Sequence, residues 1–269
     1  MTGYYQDKVV IVTGGTDGIG RALVKQLIQA GAKVATCGRN QDKLYSLQTE
    51  FPGQSLHTLV ADVSRYDDCE NLVNTTAAAF GGIDIVINNA GVSMRALVED
   101  LELSVIEKVM NINFYGAVYA SKLALPYILQ RQGSIVGVSS IAGYRGLPGR
   151  SGYSASKFAL QGWLESLRTE LLDSGVNVMW VCPGFTSSNI RNAALNKDGK
   201  HYGETTMDED KMMSSEDCAR HILRSIEKRK RTLVLTFTGK RTIFMNKFFP
   251  SLTDRMVRKF FFKEGKLVR

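Results

Sequence analysis

Short, unbroken apolar runs alternate along most of this chain with longer stretches in which apolar residues return every three or four positions. Lys8-Val9-Val10-Ile11-Val12-Thr13 is one such run, the pattern of a parallel strand buried on both faces. After a glycine-rich turn, Ile19, Leu23, Leu27 and Ile28 share one side of a helix that Gly31 closes. Lys33–Cys37 is the next strand, so the chain opens on a β-loop-α-β unit. The same reading predicts a helix over Asn40–Thr49, a strand over Ser55–Ala61, a helix over Asp67–Phe80 and a strand over Ile83–Ile87. A long helix, in one piece or two halves, covers Leu103–Tyr127 with Pro126 as its boundary. Strands at Ser134–Val138, Val176–Val181 and Thr232–Phe237 alternate with helices at Ser151–Asp173 and Glu216–Lys230. The expected fold is α/β: a single-domain Rossmann arrangement, a doubly wound parallel sheet of about seven strands with helices on both faces.

Two segments leave this rhythm. Residues 185–213 form an irregular insertion before the last helix and strand. Residues 239–269 form a basic extension after a body spanning 1–238. In the extension Ser251 can cap a helix on which Leu252, Met256, Val257, Phe260 and Phe261 cluster, with Arg255, Arg258, Lys259 and Lys263 interleaved.

Composition narrows the field. Hydrophobic residues make up 44% and charged residues 22% of 269, ordinary for a globular chain of one large domain. The four cysteines are far apart without CxxC spacing, and the three histidines are scattered, so neither a disulfide framework nor a metal site is expected. Reduced thiols suit a cytoplasmic protein. Few residues precede the first apolar run and no 18-residue apolar stretch occurs, so neither an export signal nor a membrane span is expected. The net charge of +8 is unevenly placed: residues 227–269 carry thirteen Lys/Arg against three Asp/Glu, and the remainder 21 against 23. Aromatics interleaved with cations on a short helix suit a peripheral position on the inner membrane face. A dimer contact and packing on the protein's own body are the competing readings, and nucleic acid is the weakest because no reading motif accompanies the charge.

Candidate chemistry lies where predicted strands end. Tyr153 and Lys157 are four apart and stack on one helix face, where an ammonium lowers a phenol's pKa from about 10. Ser140, thirteen residues upstream, can hold a substrate oxygen beside the phenol. Gly14-Gly15-Thr16-Asp17-Gly18-Ile19-Gly20 sits between a strand and a helix, where glycines let backbone approach a pyrophosphate at the helix N-terminus.

Together these features resemble the short-chain dehydrogenase/reductase family. Thr13-Gly14-xxx-Gly18-Ile19-Gly20 is similar to its TGxxxGxG motif, Asn88-Asn89-Ala90-Gly91 to NNAG, Tyr153-xxx-Lys157 to YxxxK, and Pro183-Gly184 to the PG after the sixth strand. The resemblance runs in order from about Lys8 to Ser188, and the C-terminal part resembles reductases similar to acyl/alkyl-dihydroxyacetone-phosphate reductases and related lipid or steroid carbonyl reductases. It implies Tyr153 as general acid, Lys157 as its tuner and a ribose ligand, Ser140 in preference to Ser139 as substrate holder, and Asn113 in preference to Asn111 as anchor of a water relay to Lys157. Asn113 bonded only to backbone is the plainer alternative. Gly14, Thr16, Asp17, Gly18, Ile19, Gly20, Asn89, Ala90 and Gly91 would line the dinucleotide. Asp62 and Val63 would meet its adenine, and Pro183, Gly184, Thr186 and Ser188 its nicotinamide end. Pocket positions would be Ser93, Met94, Tyr144, Leu147, Phe185 and Ile190.

The second strand ends in Gly38 where an NAD enzyme places a carboxylate, and Arg39 follows with a guanidinium suited to a 2′-phosphate. NADP(H) is the expected cofactor; Asp17 weighs against it unless turned away to cap the helix. The expected activity is NADPH-dependent reduction of a ketone in a hydrophobic, lipid or steroid-like molecule. A 3-oxoacyl thioester reductase is the enzymatic alternative and a cofactor-binding regulator the non-enzymatic one. A homo-oligomer is expected by family analogy.

Overall fold

The computed structural model describes residues 3–184, 186, 190–203 and 212–268. Seven strands, all parallel, form one sheet: β1 (Val9–Thr13), β2 (Lys33–Gly38), β3 (Leu56–Val60), β4 (Ile85–Asn88), β5 (Ser134–Val138), β6 (Asn177–Cys182) and β7 (Thr232–Val234). Their order is β3-β2-β1-β4-β5-β6-β7. Every residue of β1, β4, β5 and β6 is buried, whereas the edge strands β3 and β7 are only partly so. Continuous apolar runs therefore mark the central strands because both faces are covered.

On one face α1 (Gly18–Gln29) and α7 (Ser215–Glu227) pack Leu23, Leu27, Ile222 and Leu223 against Val10, Val12, Ile85 and Met179. On the other, α3 (Tyr66–Phe80), α5 (Gly116–Gln130) and α6 (Ser151–Glu170) cover Ile11, Val86, Ile135 and Val178. After β2, α2 (Gln41–Glu50) is capped by Asn40, whose side chain accepts from the Lys43 amide at 2.9 Å. Chain order reverses between β1 and β4, and ligands of open α/β sheets sit at that reversal, beyond the strands' carboxyl ends.

Three regions differ from the pattern's expectation. The long helix is α4 (Leu103–Met110), a π-helical turn at Asn111–Tyr115 and then α5, with Pro126 inside α5 instead of bounding it. Pro126 lies on the exposed side, and so does Lys122 one turn earlier, whose carbonyl loses its partner to the ring and can turn to water. The last strand stops at Val234, and Phe237–Phe248 is a helix, α8, begun by Thr236, whose hydroxyl accepts from the Gly239 amide at 3.2 Å. The next helix, α9, is Pro250–Phe261, with proline in its first turn, so Ser251 lies inside the helix and does not cap it. The basic extension is thus a two-helix hairpin, followed by a short antiparallel pair, β8 (Phe262–Lys263) and β9 (Lys266–Leu267).

Candidate active site

At the end of β1 the chain must turn tightly enough for α1 to begin five residues later. Gly14 makes the turn at φ +68°, a left-handed conformation that side chains resist. Gly20 packs so closely on the Gly14 carbonyl and the Asn89 amide that a methyl group there would overlap both. The loop is pinned from β4's end: Asn89 and Ala90 amides each donate to the Thr13 hydroxyl at 3.0 Å, and the Asn89 side chain donates to the Thr13 and Gly14 carbonyls. Asp17 accepts from the Gly18 amide as N-cap of α1 and pairs with Lys43 at 2.7 Å. Its carboxylate is therefore engaged with the helix start and a cation. Arg39 is exposed, 3.9 Å from Asp62, and Gly38 lies against Thr16.

Across the switch point, α6 carries Tyr153 and Lys157 inward. The ammonium of Lys157 donates to the Val138 carbonyl at 2.8 Å and lies 5.7 Å from the Tyr153 ring centroid. Ser140 follows β5, with its hydroxyl accepting from the Ala142 amide and hydrogen-bonded to Tyr153. Ser139 is turned away: its hydroxyl accepts from Gln161 at 2.8 Å and donates weakly to the Lys157 carbonyl. Burial raises the Tyr153 phenol above its ordinary value, with Ser140 and then Arg150 opposing. Burial also brings Lys157 down to about 8. The one-turn spacing alone suggests a lowered phenol, but desolvation of the site outweighs the charge near it.

The glycine loop, the Asn89–Gly91 turn, Ser140, Tyr153 and Lys157 all line one cavity of about 850 Å³. Its closely packed glycine loop at a helix start suits a dinucleotide: a side chain at Gly20 would collide with the Gly14 carbonyl and the Asn89 amide and force the loop out of shape.

The family described as short chain dehydrogenase matches residues 8–199. Dehydrogenase/reductase SDR family member 7B of Mus musculus is 35% identical over 271 residues, covering 98% of this chain and 84% of the mouse protein. An uncharacterized oxidoreductase of Staphylococcus aureus (strain MRSA252) is 34% identical over 185 residues, 68% of this chain and 80% of its own.

The chain belongs to the short-chain dehydrogenase/reductase family.

A Burkholderia phymatum family member, solved in complex with NAD, superposes with a TM-score of 0.81 at 20% identity, covering 92% of this chain and 95% of that one. A Streptomyces avermitilis short-chain dehydrogenase superposes equally, with a TM-score of 0.81 at 24% identity over 93% of this chain and 95% of that one. At such identities the likeness is one of fold.

Within this family member, Thr16, Asp17, Gly18, Ile19, Arg39, Asp62, Val63, Pro183, Gly184 and Thr186 also line the cavity. Asn113 stands just behind it: the π-turn buries its side chain, which exchanges hydrogen bonds with the Val92 backbone and donates to Ser156 at 3.0 Å. Both hydrogens of its side-chain amide are thereby used, and its amide oxygen accepts from Val92. Ser93, Leu147 and Ile190 line the cavity, whereas buried Met94 packs behind Gly152, and Tyr144 accepts a hydrogen bond from Trp180 at 2.9 Å outside the lining. Ser188 and Phe185 lie outside the described residues.

Sequence reasoning missed two sets of residues. Thr236, Gly239, Met245, Met256, Val257 and Phe261 bring the C-terminal hairpin over the cavity as its wall. Arg150 and Arg191 line it near Tyr153. The position of Arg150, three residues before Tyr153, was the available signal for the second set.

Proposed function

We propose that this family member is an NADP(H)-dependent reductase for a ketone in a hydrophobic, lipid or steroid-like molecule. The observation that carries the reading is the continuity of one cavity, from the glycine loop past Tyr153 to a wall where the α8–α9 hairpin sets Met245, Met256, Val257, Phe260 and Phe261 beside Arg241, Thr242 and Thr253. Bound along the loop, the dinucleotide supplies the hydride. As negative charge grows on the carbonyl oxygen, Tyr153 gives it a proton and Ser140 donates a hydrogen bond to it. The raised phenol stays protonated through the neutral range, the state an acid needs. Lys157 carries positive charge beside the phenol and is positioned to meet a ribose hydroxyl. A backbone-held water at Asn113 would return the proton.

Arg39 and Lys43 supply cations beside the place where an adenine ribose would lie, and no acid ends β2. These support the 2′-phosphorylated cofactor. Phe244, Phe248, Phe249 and Leu252 are exposed on the hairpin among Lys247, Arg255 and Arg258, which supports peripheral contact with a membrane. Exposed Tyr115 and Phe158, near and on the long helices, suit a homo-oligomer.

NADPH consumption across steroid, acyl-glycerone-phosphate, sphingoid and acyl-thioester ketones tests the reading. Turnover of a lipid or steroid ketone is expected, falling about 10²- to 10⁴-fold in Tyr153→Phe. Turnover confined to acyl thioesters, or a Tyr153→Phe enzyme as fast as the wild type, would sink it.

A further inference from the structure

Ser140 and Tyr153 come from different elements, so their meeting depends on what fixes the end of β5 against α6. The sheet holds this strand as far as the Ser139 amide, which donates to the Val181 carbonyl at 2.7 Å. Beyond it Ser140 opens the short 3-10 turn Ile141–Gly143. Gln161 reaches that turn from behind. It follows Lys157 by one turn of α6, as Lys157 follows Tyr153, yet it does not line the cavity. Its side-chain nitrogen donates to the Ser139 hydroxyl at 2.8 Å, and also faces the Ser140 carbonyl at 3.4 Å and the Cys182 sulfur at 3.5 Å. A carbonyl only accepts, so the amide is held with its nitrogen toward the turn. Ser139 returns the link to α6 by donating to the Lys157 carbonyl at 3.4 Å. Gly143 shows how closely these groups fit: a Cβ there would collide with the Gln161 nitrogen and crowd the Lys157 carbonyl and the Ser139 hydroxyl.

Gln161 is 7% exposed, between the core residues Leu160 and Leu164. Burying an amide is costly unless it is bonded, and an apolar side chain would fill the same space; what it would lack is the two donated hydrogens. We propose that Gln161 is a positioning residue for proton transfer, its amide clamping the Ser139-Ser140 turn to α6 and so aiming the Ser140 hydroxyl at the Tyr153 oxygen. This rests on the reductase reading for the reaction, whereas the clamp rests on the contacts alone. Because Gln161 stands outside the cavity, loss of its hydrogens should slow the chemical step and spare cofactor binding.

Gln161→Met keeps the side chain's length and removes both donors. Crystal structures of the full-length wild type and this variant read the clamp without turnover: the hydroxyl–phenol hydrogen bond is expected in the first and broken in the second. In steady-state kinetics on the best ketone of the panel, kcat is expected to fall about 10- to 100-fold, the cost of a misplacement of about 1 Å, while the NADPH Kd moves less than about twofold. Should Gln161→Met fail to fold, Ser139→Ala, which removes the clamp's shortest contact, carries the same criteria. Ser140 still bonded to the phenol in a folded variant, an unchanged kcat, or a loss of NADPH affinity as large as the loss in kcat would overturn the proposal. A displaced Ser140 together with a wild type silent on every ketone would instead remove the reductase reading and keep the clamp.

Discussion

Burial moves the two ionisable groups of α6 in opposite directions, the Tyr153 phenol upward and the Lys157 ammonium down to about 8. Each shift favours the neutral form, the signature of desolvation and not of mutual attraction. Lys157 is therefore cationic below pH 8 and loses its charge as pH rises through that value, far earlier than a free lysine. Dinucleotide affinity of the ligand-free chain should weaken severalfold between pH 7 and 9, because the charge facing the bound ribose disappears. In Lys157→Met, binding should be weaker and flat across the same interval. Because the folded value lies below the unfolded one, the ammonium costs stability below pH 8, a cost relieved between there and the unfolded value. Lys157→Met should accordingly melt no lower than wild type at neutral pH, which separates lost binding from unfolding. A pH-independent Kd for the wild-type chain would contradict the assignment.

The β1–α1–β2 unit shows how far local pattern reaches. Val9–Val12 is apolar because both faces of β1 are covered, and the glycine spacing is dictated by the backbone contact between Gly20 and Gly14, so strand, loop and helix were all legible from residue types. Asp17 was ambiguous in sequence; its bond to the Gly18 amide and its pairing with Lys43 settle it as a cap. Arg39, by contrast, keeps only a long, exposed contact with Asp62, worth little, so it is available to a 2′-phosphate. Arg39→Ser should raise KM for NADPH about 10- to 100-fold and leave NADH nearly unchanged, as expected for one charge-assisted contact of roughly 1.5–3 kcal/mol. Equal losses for both cofactors would place Arg39 elsewhere. What local pattern could not show are elements whose periodicity is broken. The π-turn adds a residue to an otherwise helical repeat to bury Asn113. In α8, Phe237, Phe244 and Phe248 share one side that is exposed instead of buried, while Ile243 and Met245 fall on two other sides, so the segment lacks the core-facing repeat that a period-based reading looks for.

At the scale of the molecule, the C-terminal hairpin has two apolar faces with different fates. One side closes the cavity through Met245, Val257 and Phe261, and is tethered by Arg145, which donates to Asn246 at 3.0 Å and pairs with Asp254 at 2.5 Å. The tail's charge and aromatics could be read from sequence, but its division between the protein's own body and the outside could not, because that depends on where the last strand delivers the chain. The outward side presents Phe244 and Phe248, each 56% exposed, and Phe249 at 51%. Such a patch within a segment of thirteen Lys/Arg and three Asp/Glu matches the chemistry of an anionic bilayer. None of the three phenylalanines lines the cavity, so they can be changed without touching its wall. The full chain is expected to sediment with phosphatidylserine-containing vesicles and far less with phosphatidylcholine alone, and the double variant Phe244→Glu/Phe248→Glu should lose that binding about tenfold or more. Turnover of a water-soluble ketone should be unaffected in the same variant, whereas a bilayer-partitioned ketone should be reduced more slowly, because the cavity wall and the exposed aromatic surface are two sides of one hairpin. Vesicle binding that persists in the double variant, or a wild-type chain left in the supernatant at low salt, would move the exposed patch from the lipid surface to a protein–protein contact.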